Sequence, residues 1–219
     1  MKLFPILLLI SLLSAPLQAL AFNPGFLISD EEMTDRFALD LGAVQSVLNR
    51  GTLAHYVTED IDGRRRFAGE IIWRAGQRNG ISPKVILTML QKEQSLVEDP
   101  SPSESQFNWA MGYGVCDDCN HNTPSIQRFK GFAKQVNSAT LQLAEGYLAD
   151  LVSVGETVVG YRPGRTFLID GEAVYIENDA TAALYTYTPH IHGNENFVTI
   201  YNRYFGQEYP TGTLLRDAE

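Results

Sequence analysis

One stretch of the chain, ISPKVILTMLQKEQSLV at residues 81–97, predicts a buried helix with a single acidic side chain. Ser82 is a good N-cap residue, and Pro83 suits the first helical position. Five of the six residues at 85–90 are apolar, which is more than a surface helix usually carries. We therefore expect this helix to be enclosed on most sides and to organise the rest of the fold.

Glu93 is the acidic side chain, and a helical wheel places it inside an apolar stripe. The stripe consists of Ile86, Met89, Leu90, Leu96 and Val97. Loss of hydration in such surroundings favours the protonated carboxyl, so Glu93 could give a proton to a leaving group near neutral pH. The structural alternative is a glutamate that pairs with a Lys or Arg, or that caps a neighbouring helix.

The first 21 residues have the pattern of a secretory signal peptide, with Lys2 before an apolar run and Ala-Leu-Ala at positions 19–21. Cleavage after Ala21 leaves no cysteine at the new N-terminus, so we expect no lipid anchor. The basic region holds only Lys2, so a retained N-terminal anchor is the alternative. No later apolar run is long enough to span a bilayer. The net charge of −9 argues against a nucleic acid or an anionic membrane as partner. We expect an exported protein, periplasmic or extracellular, without a membrane anchor after cleavage.

Helical spacing and turn residues along the chain predict a mainly α (α+β) fold with one small β-hairpin insertion. The predicted helices, besides 82–97, cover residues 41–48, 67–79, 125–153, 179–185 and 197–205. An Asp-Gly turn at 170–171 predicts the hairpin, the valines at 158–159 are strand-like, and 186–196 should be a loop. The expected organisation is an N-terminal lead-in packed on the domain (22–66), irregular up to residue 40, then the main domain (67–206) and a loose C-terminal tail (207–219).

The two cysteines of the chain, Cys116 and Cys119, lie close to His121. In an exported protein, two cysteines most simply form one disulfide, which would stiffen this loop. If the loop meets the segment with His190 and His192, thiolates and imidazoles could bind zinc instead. A redox-active cysteine pair is a third alternative.

Three short motifs carry a resemblance to a known family: LQKEQSL at 90–96, AMGYG at 110–114 and AALYTYTP at 182–189. Their order, within residues 67–206, resembles the lysozyme-like superfamily, in particular the soluble lytic transglycosylases and goose-type lysozymes. It looks closest to exported bacterial proteins with a Gln-Lys-Glu-Gln core. The chain departs from the pattern at Gln94, which separates the acid from Ser95, and at Thr186, which stands where the family has Asn.

The resemblance implies a lysozyme-like helical domain that cleaves peptidoglycan between its two amino sugars. Glu93 would protonate the glycosidic oxygen and then act as base on the sugar's own 6-hydroxyl, without metal or cofactor. Glycan strands of peptidoglycan would be the partner, bound by the second and third motifs. The residues expected to bind them are Met111, Gly112, Tyr113, Tyr185 and Tyr187.

Two other functions fit the same residues. One is a non-catalytic glycan-binding or envelope-structural protein that retains the fold. The other is a glycoside hydrolase, which in its inverting form needs a second carboxylate about 6.5–9.5 Å from the acid. The candidates for that carboxylate are Glu98, Asp99, Glu104, Asp117 and Asp118.

Overall fold

The structure, a computed structural model, describes residues 22–115 and 122–206. In this part, the chain forms ten α-helices and two antiparallel hairpins, so the fold is mainly α with a small β part, as predicted. None of the described helices is long and apolar enough to cross a membrane. The predicted leader, the predicted tail and the loop that holds Cys116, Cys119 and His121 lie outside the described residues. The predicted disulfide therefore lies outside them too.

The secondary structure divides at the undescribed loop. Before it come α1 (Asp30–Thr34), α2 (Leu41–Leu48), a 3₁₀ turn (Thr52–His55), β1 (Val57–Glu59), β2 (Arg65–Phe67), α3 (Ala68–Asn79), α4 (Pro83–Gln94) and α5 (Glu104–Asn108). After it come α6 (Pro124–Gln127), α7 (Phe132–Leu141), a π-helical segment (Gln142–Leu148), α8 (Ala149–Ser153), β3 (Arg165–Ile169), β4 (Glu172–Ile176), α9 (Asp179–Tyr187) and α10 (Ile191–Phe205). Strand β1 pairs with β2, and β3 pairs with β4.

Helix α4 is the buried helix that the sequence predicts. Pro83 lies in its first turn, and helices α1, α3 and α10 pack around it. The five apolar residues of the stripe predicted beside Glu93 are each at most 2% exposed. The prediction of an enclosed central helix is therefore confirmed.

The C-terminal end of α4 comes at Gln94, three residues earlier than expected. Ser95 adopts a left-handed backbone conformation with φ of 57°, and the Leu96 N–H donates to the Leu90 carbonyl across the turn. This is the hydrogen-bond pattern that commonly closes helices, although glycine is the usual residue at the left-handed position. Leu96 and Val97 therefore reach the core from the turn and not from the helical face.

The lead-in before α2 is less irregular than expected. Ser29 and Glu32 form a capping box that starts α1, a signal that the Ser-x-x-Glu spacing carries in the sequence. Met33 on α1 is fully buried, and its carbonyl accepts a hydrogen bond from the Ser82 N–H at 2.9 Å. The lead-in thus closes the side of α4 near its N-terminus.

The two hairpins differ in how well the sequence predicts them. Asp170 and Gly171, both with positive φ, form the predicted turn between β3 and β4. The β1–β2 hairpin is an additional element, because strands of three residues are too short to show a reliable alternation. Val158 and Val159 are not in a strand and remain exposed, so that part of the prediction is wrong.

A helical run follows Gly131, whose φ of 115° separates it from the short helix α6. From residue 132 to 153 the chain stays helical through α7, the π-helical segment and α8. The predicted helix over 125–153 is therefore present, but Gly131 divides it, and its middle part, residues 142–148, is π-helical.

The C-terminal helices leave only a short loop between them. Asn178 caps α9 as predicted, because its side chain accepts a hydrogen bond from the Thr181 N–H. The predicted loop over 186–196 is wrong, since α9 continues to residue 187 and α10 begins at residue 191. Gly193, which suggested a loop, packs inside α10, where a Cβ would lie 2.7 Å from Thr188 Cγ2.

Candidate functional site

The Glu93 carboxylate lies in the last turn of α4, close to the short loop between α9 and α10. Its side chain is 22% exposed, so it stands at the edge of the apolar stripe and not inside it. Glu93 Oε1 is 2.6 Å from Lys92 Nζ, which also donates to the Thr188 hydroxyl at 2.7 Å. Adjacent residues of a helix do not face each other, so helical spacing does not predict this ion pair. The long side chain of Lys92 folds across the last turn to reach both acceptors.

The backbone of the turn after α5 runs against the same carboxylate. Gly112 has a φ of 62°, and a Cβ there would lie 2.9 Å from Glu93 Oε2. Both the left-handed backbone and the close approach therefore require glycine. The two carboxylate oxygens have different neighbours, because Oε1 faces Lys92 and Oε2 faces this turn.

A buried glutamine on α7 holds the turn in place. The Gln135 side chain accepts a hydrogen bond from the Tyr113 N–H and donates to the Tyr113 carbonyl, both at 2.9 Å. It also donates to the Phe129 carbonyl at 3.0 Å. Gln135 was not among the predicted site residues, although an amide on the buried face of a helix is a recognisable signal, because such a group must find partners.

Tyr187 completes the surroundings of Glu93. Its hydroxyl donates to the Met111 carbonyl at 2.7 Å, one residue before Gly112. Burial, and next the negative charge of Glu93, raise the pKa of Tyr187 well above its ordinary value. Tyr187 therefore stays protonated. Of the residues expected to bind substrate, the structure brings Met111, Gly112 and Tyr187 to Glu93.

Tyr113 connects this group to the π-helical segment. Its hydroxyl donates to Gln142 Oε1 at 3.3 Å, while its ring meets that of Phe129 edge-to-face. Tyr147, on the same segment, has a pKa raised by burial and then by Tyr113. The backbone of Tyr113 thus forms part of the turn beside Glu93, while its side chain contacts Phe129 and Gln142 next to α7.

Tyr185 lies on the opposite side of α9 from Tyr187, because residues two positions apart on a helix point in nearly opposite directions. Its ring is fully buried and meets Tyr161 edge-on, with centroids 6.4 Å apart. Burial, and next the charge of Asp170, raise its pKa to about 12. Its hydroxyl has no hydrogen-bond partner within the described residues. The expectation that Tyr185 lies beside Glu93 is therefore corrected, and Tyr187 takes that place.

Two of the loop acids considered as a second carboxylate, Glu98 and Asp99, have other partners. Glu98 accepts a hydrogen bond from Arg203 on α10 at 3.1 Å. Asp99 accepts from the Ser101 N–H and then from the Gln106 amide, and these two donors lower its pKa. The other candidates are Glu104, exposed in the first turn of α5, and Asp117 and Asp118, which lie outside the described residues.

Two of the histidines considered for zinc, His190 and His192, are exposed on the surface. His190 Nδ1 lies 2.9 Å from Asp170 Oδ1 at the tip of the β3–β4 hairpin, and His192 lies beside Glu195. Across residues 22–115 and 122–206, no group of three or more His, Cys, Asp or Glu side chains is arranged to hold a metal ion. Cys116, Cys119 and His121 lie outside these ranges, so the zinc alternative stays a prediction.

Two residues with positive φ lie close to Glu93. Ser95, two residues later in the chain, has a φ of 57°, which costs a non-glycine residue about 1–3 kcal/mol, and such positions cluster at functional sites. Gly112, whose backbone lies against Glu93 Oε2, also has positive φ. A partly exposed carboxylate between these segments makes the end of α4 the best candidate functional site in the described part of the chain.

Comparison with known proteins gives one match. A family model described as LasA, N-terminal domain, matches residues 44–214, which include every segment around Glu93. No curated protein and no solved structure matches the chain. LasA-like domains are typically secreted, which agrees with the export expected from the leader, whereas the resemblance to lysozyme-like proteins stays a prediction. The chain belongs to the LasA N-terminal domain family.

Proposed function

We propose that this protein is an exported peptidoglycan-cleaving enzyme of the lytic transglycosylase type, with Glu93 as both acid and base. The observation that carries the proposal is the Glu93 carboxylate, partly exposed at the end of a buried helix and pressed against the Gly112 backbone. The family match supports a secreted, peptidoglycan-related role. The periplasm or the cell exterior, where peptidoglycan is accessible, would be the place of action.

The proposed reaction needs one carboxyl group. Glu93 gives its proton to the glycosidic oxygen, and the bond from C1 to that oxygen breaks with its electron pair on the departing oxygen. The 6-hydroxyl oxygen of the same sugar then bonds to C1, and its proton returns to Glu93. The product ends in an anhydro sugar, and no water is consumed. Gln135 and Tyr187 would hold the Met111–Tyr113 turn so that Glu93 Oε2 keeps its position.

The surroundings of the loop acids support this route over an inverting hydrolase. A hydrolase of that kind needs a second carboxylate to activate water across the scissile bond. Glu98 is bound by Arg203, and Asp99 by two hydrogen-bond donors, so both serve to fix the loop after α4. A single-carboxylate reaction is the chemistry that Glu93 can perform with the described neighbours.

A second candidate function is non-catalytic glycan binding, and the ion pair with Lys92 favours it. Lys92 Nζ already occupies Glu93 Oε1 at 2.6 Å, whereas a proton donor needs an oxygen that can reach the glycosidic bond. In the catalytic proposal, a bound glycan must therefore displace water and weaken the contact at Oε1. In the binding alternative, the ion pair persists when the glycan is bound, and it contributes only to the shape of the binding surface.

Digestion of purified sacculi separates these functions. We expect the wild-type protein to release fragments that end in anhydro sugars, detected by mass spectrometry, and Glu93→Gln to release none. Reducing ends in place of anhydro ends would identify a hydrolase. Retention on sacculi without release of any fragment would favour the binding alternative.

A further inference from the structure

A groove of about 310 Å³ opens on the surface next to the Glu93 site. Its walls include the half-buried rings of Tyr113 and Phe129, whose centroids lie 4.9 Å apart in an edge-to-face arrangement. The volume is in the range of small-molecule sites. Since the backbone of Tyr113 follows Gly112 directly, a single residue separates the groove from the carboxylate of Glu93.

The opposite wall is formed by α7 and the π-helical segment. It presents the side chains of Ser138, Leu141, Gln142 and Glu145, and it includes Gly146. Gln142 accepts the hydrogen bond of the Tyr113 hydroxyl, and its side-chain amide lies over Gly146, where a Cβ would overlap it. Short π-helical segments are rare and occur frequently at functional sites. Here the segment places a polar wall opposite two aromatic rings.

The groove and Glu93 are joined by the turn at residues 111–113. The Gly112 backbone lies against Glu93 Oε2, and the next residue, Tyr113, lines the groove. The Tyr187 hydroxyl holds this turn through its hydrogen bond to the Met111 carbonyl. A linear ligand that reaches Glu93 over the turn would place its next unit against the Tyr113 ring.

We infer that this groove is a saccharide subsite, which binds a neighbouring sugar of the glycan strand that reaches Glu93. The inference rests on the proposed function. Aromatic rings pack against the apolar C–H face of a pyranose, while an amide, a hydroxyl and a carboxylate can satisfy ring hydroxyls and an acetamido group. Glu145 is the charged side chain among the lining residues, so the groove disfavours an anionic ligand and suits a neutral amino sugar.

Gly146→Ala tests this assignment without weakening the fold. The new Cβ forces the flexible Gln142 amide to move, and alanine favours a helix more than glycine does. We expect the melting temperature to stay unchanged or rise, while affinity for a hexamer of β-1,4-linked N-acetylglucosamine falls at least fivefold in titration calorimetry. Gln142→Ala should lower the affinity to a similar extent. An affinity equal to wild type in both variants would overturn the inference.

Lys134→Ala is the matched control, because Lys134 is an exposed residue of α7 that lines a different groove, beside the β1–β2 hairpin. Its hexamer affinity should equal that of the wild type. Backbone amide shifts on titration should concentrate at 113 and 138–146 in the wild type. Shifts confined to other parts of the molecule, or no binding of the hexamer by the wild type, would also overturn the assignment.

Glu93→Gln keeps the failure of this inference distinct from failure of the proposed function. We expect that variant to lose sacculus digestion and to bind the hexamer as tightly as the wild type. If Glu93→Gln digests sacculi at the normal rate, the catalytic assignment fails, while hexamer binding that depends on Gln142 and Gly146 still supports the groove. If digestion requires Glu93 but the groove variants bind the hexamer with wild-type affinity, only the subsite assignment is wrong.

Discussion

The Arg66 cluster and the Lys92–Glu93 pair are two ion-paired regions with opposite designs. Arg66 is 6% exposed and donates to three carboxylates, those of Asp60 at 3.0 Å, Asp62 at 2.5 Å and Glu70 at 2.9 Å. Its guanidinium donors are distributed over fixed partners, and the cluster joins the β1–β2 hairpin to α3. A cation surrounded in this way stabilises the fold and has no capacity left for a ligand.

The Lys92–Glu93 pair leaves more of its carboxylate available. Glu93 receives Lys92 on one oxygen, while the other faces the Gly112 backbone and the side chain remains 22% exposed. The left-handed Ser95 follows two residues later. The two regions differ most in how many hydrogen-bonding positions of the charged group are already filled by protein partners. This occupancy, more than burial or charge, distinguishes a structural ion cluster from a carboxylate that can react.

The largest expected effect is on activity and comes from Glu93→Gln. The amide keeps the shape of the side chain but cannot transfer a proton, so sacculus digestion should fall about 10²–10⁴-fold with no loss of melting temperature. Glu70→Gln is the matched control, because Glu70 binds Arg66 in the saturated cluster. It should digest sacculi normally. Loss of activity in both variants would remove the distinction between the two regions.

The next effect is on stability and comes from Arg66→Met. Asp60, with a side chain only 2% exposed, would lose its closest cationic partner, so the melting temperature should fall by about 10 °C. Lys92→Met should change it much less, because Glu93 can regain water. Thermal denaturation followed by circular dichroism measures both. A larger loss for Lys92→Met would contradict the comparison.

Acid titration gives an independent check on the Arg66 cluster. The hydrogen bonds from Arg66 hold the pKa of Asp62 well below its usual value. The folded pKa lies below the unfolded value of about 3.9, so this contribution to stability is present above that pH and is lost as the pH falls further. Arg66→Met should show a weaker decrease in stability on acidification than the wild type.

A smaller effect separates the two tyrosines of α9. Tyr187→Phe removes the hydrogen bond to the Met111 carbonyl, which should cost about 1 kcal/mol of stability and lower digestion several-fold as the turn loosens. Tyr185→Phe should leave activity unchanged, because its buried hydroxyl lacks a hydrogen-bond partner in the described structure. Parallel urea denaturation and digestion assays compare them. A loss of activity confined to Tyr185→Phe would restore the role expected from sequence resemblance.

The smallest effect is expected for Ser95→Gly, which should stabilise the protein by about 1 kcal/mol because glycine adopts positive φ without strain. Digestion should stay within twofold of the wild type, since the position of Glu93 depends on α4 and the Gly112 turn. Urea denaturation measures the change in the free energy of unfolding. Destabilisation would show that the Ser95 side chain contributes interactions beyond its backbone conformation.

Local sequence signals determined the elements that depend on short-range chemistry. The apolar run and Pro83 predicted α4, the Asp170–Gly171 dipeptide predicted one hairpin, and Asn178 predicted the start of α9. Each of these signals acts within a few residues of chain, where caps, turns and helical periodicity operate. The position of Glu93 in the last turn of α4, beside the apolar stripe, followed from the same reasoning.

The tertiary structure alone decided what Glu93 touches. The choice of Tyr187 over Tyr185 depends on the rotation of α9. Helical spacing does not reveal that rotation because the six consecutive residues 180–185 are all buried, which leaves no polar face to orient the helix. Gly193 resembles a loop residue until Thr188 packs against it in space. The hydrogen bond from Lys92 to Thr188 and the support from Gln135 likewise join segments whose approach is set by packing of the core. Sequence therefore determined which residues could perform chemistry, and the packing of α4, α7 and α9 decided which of them meet.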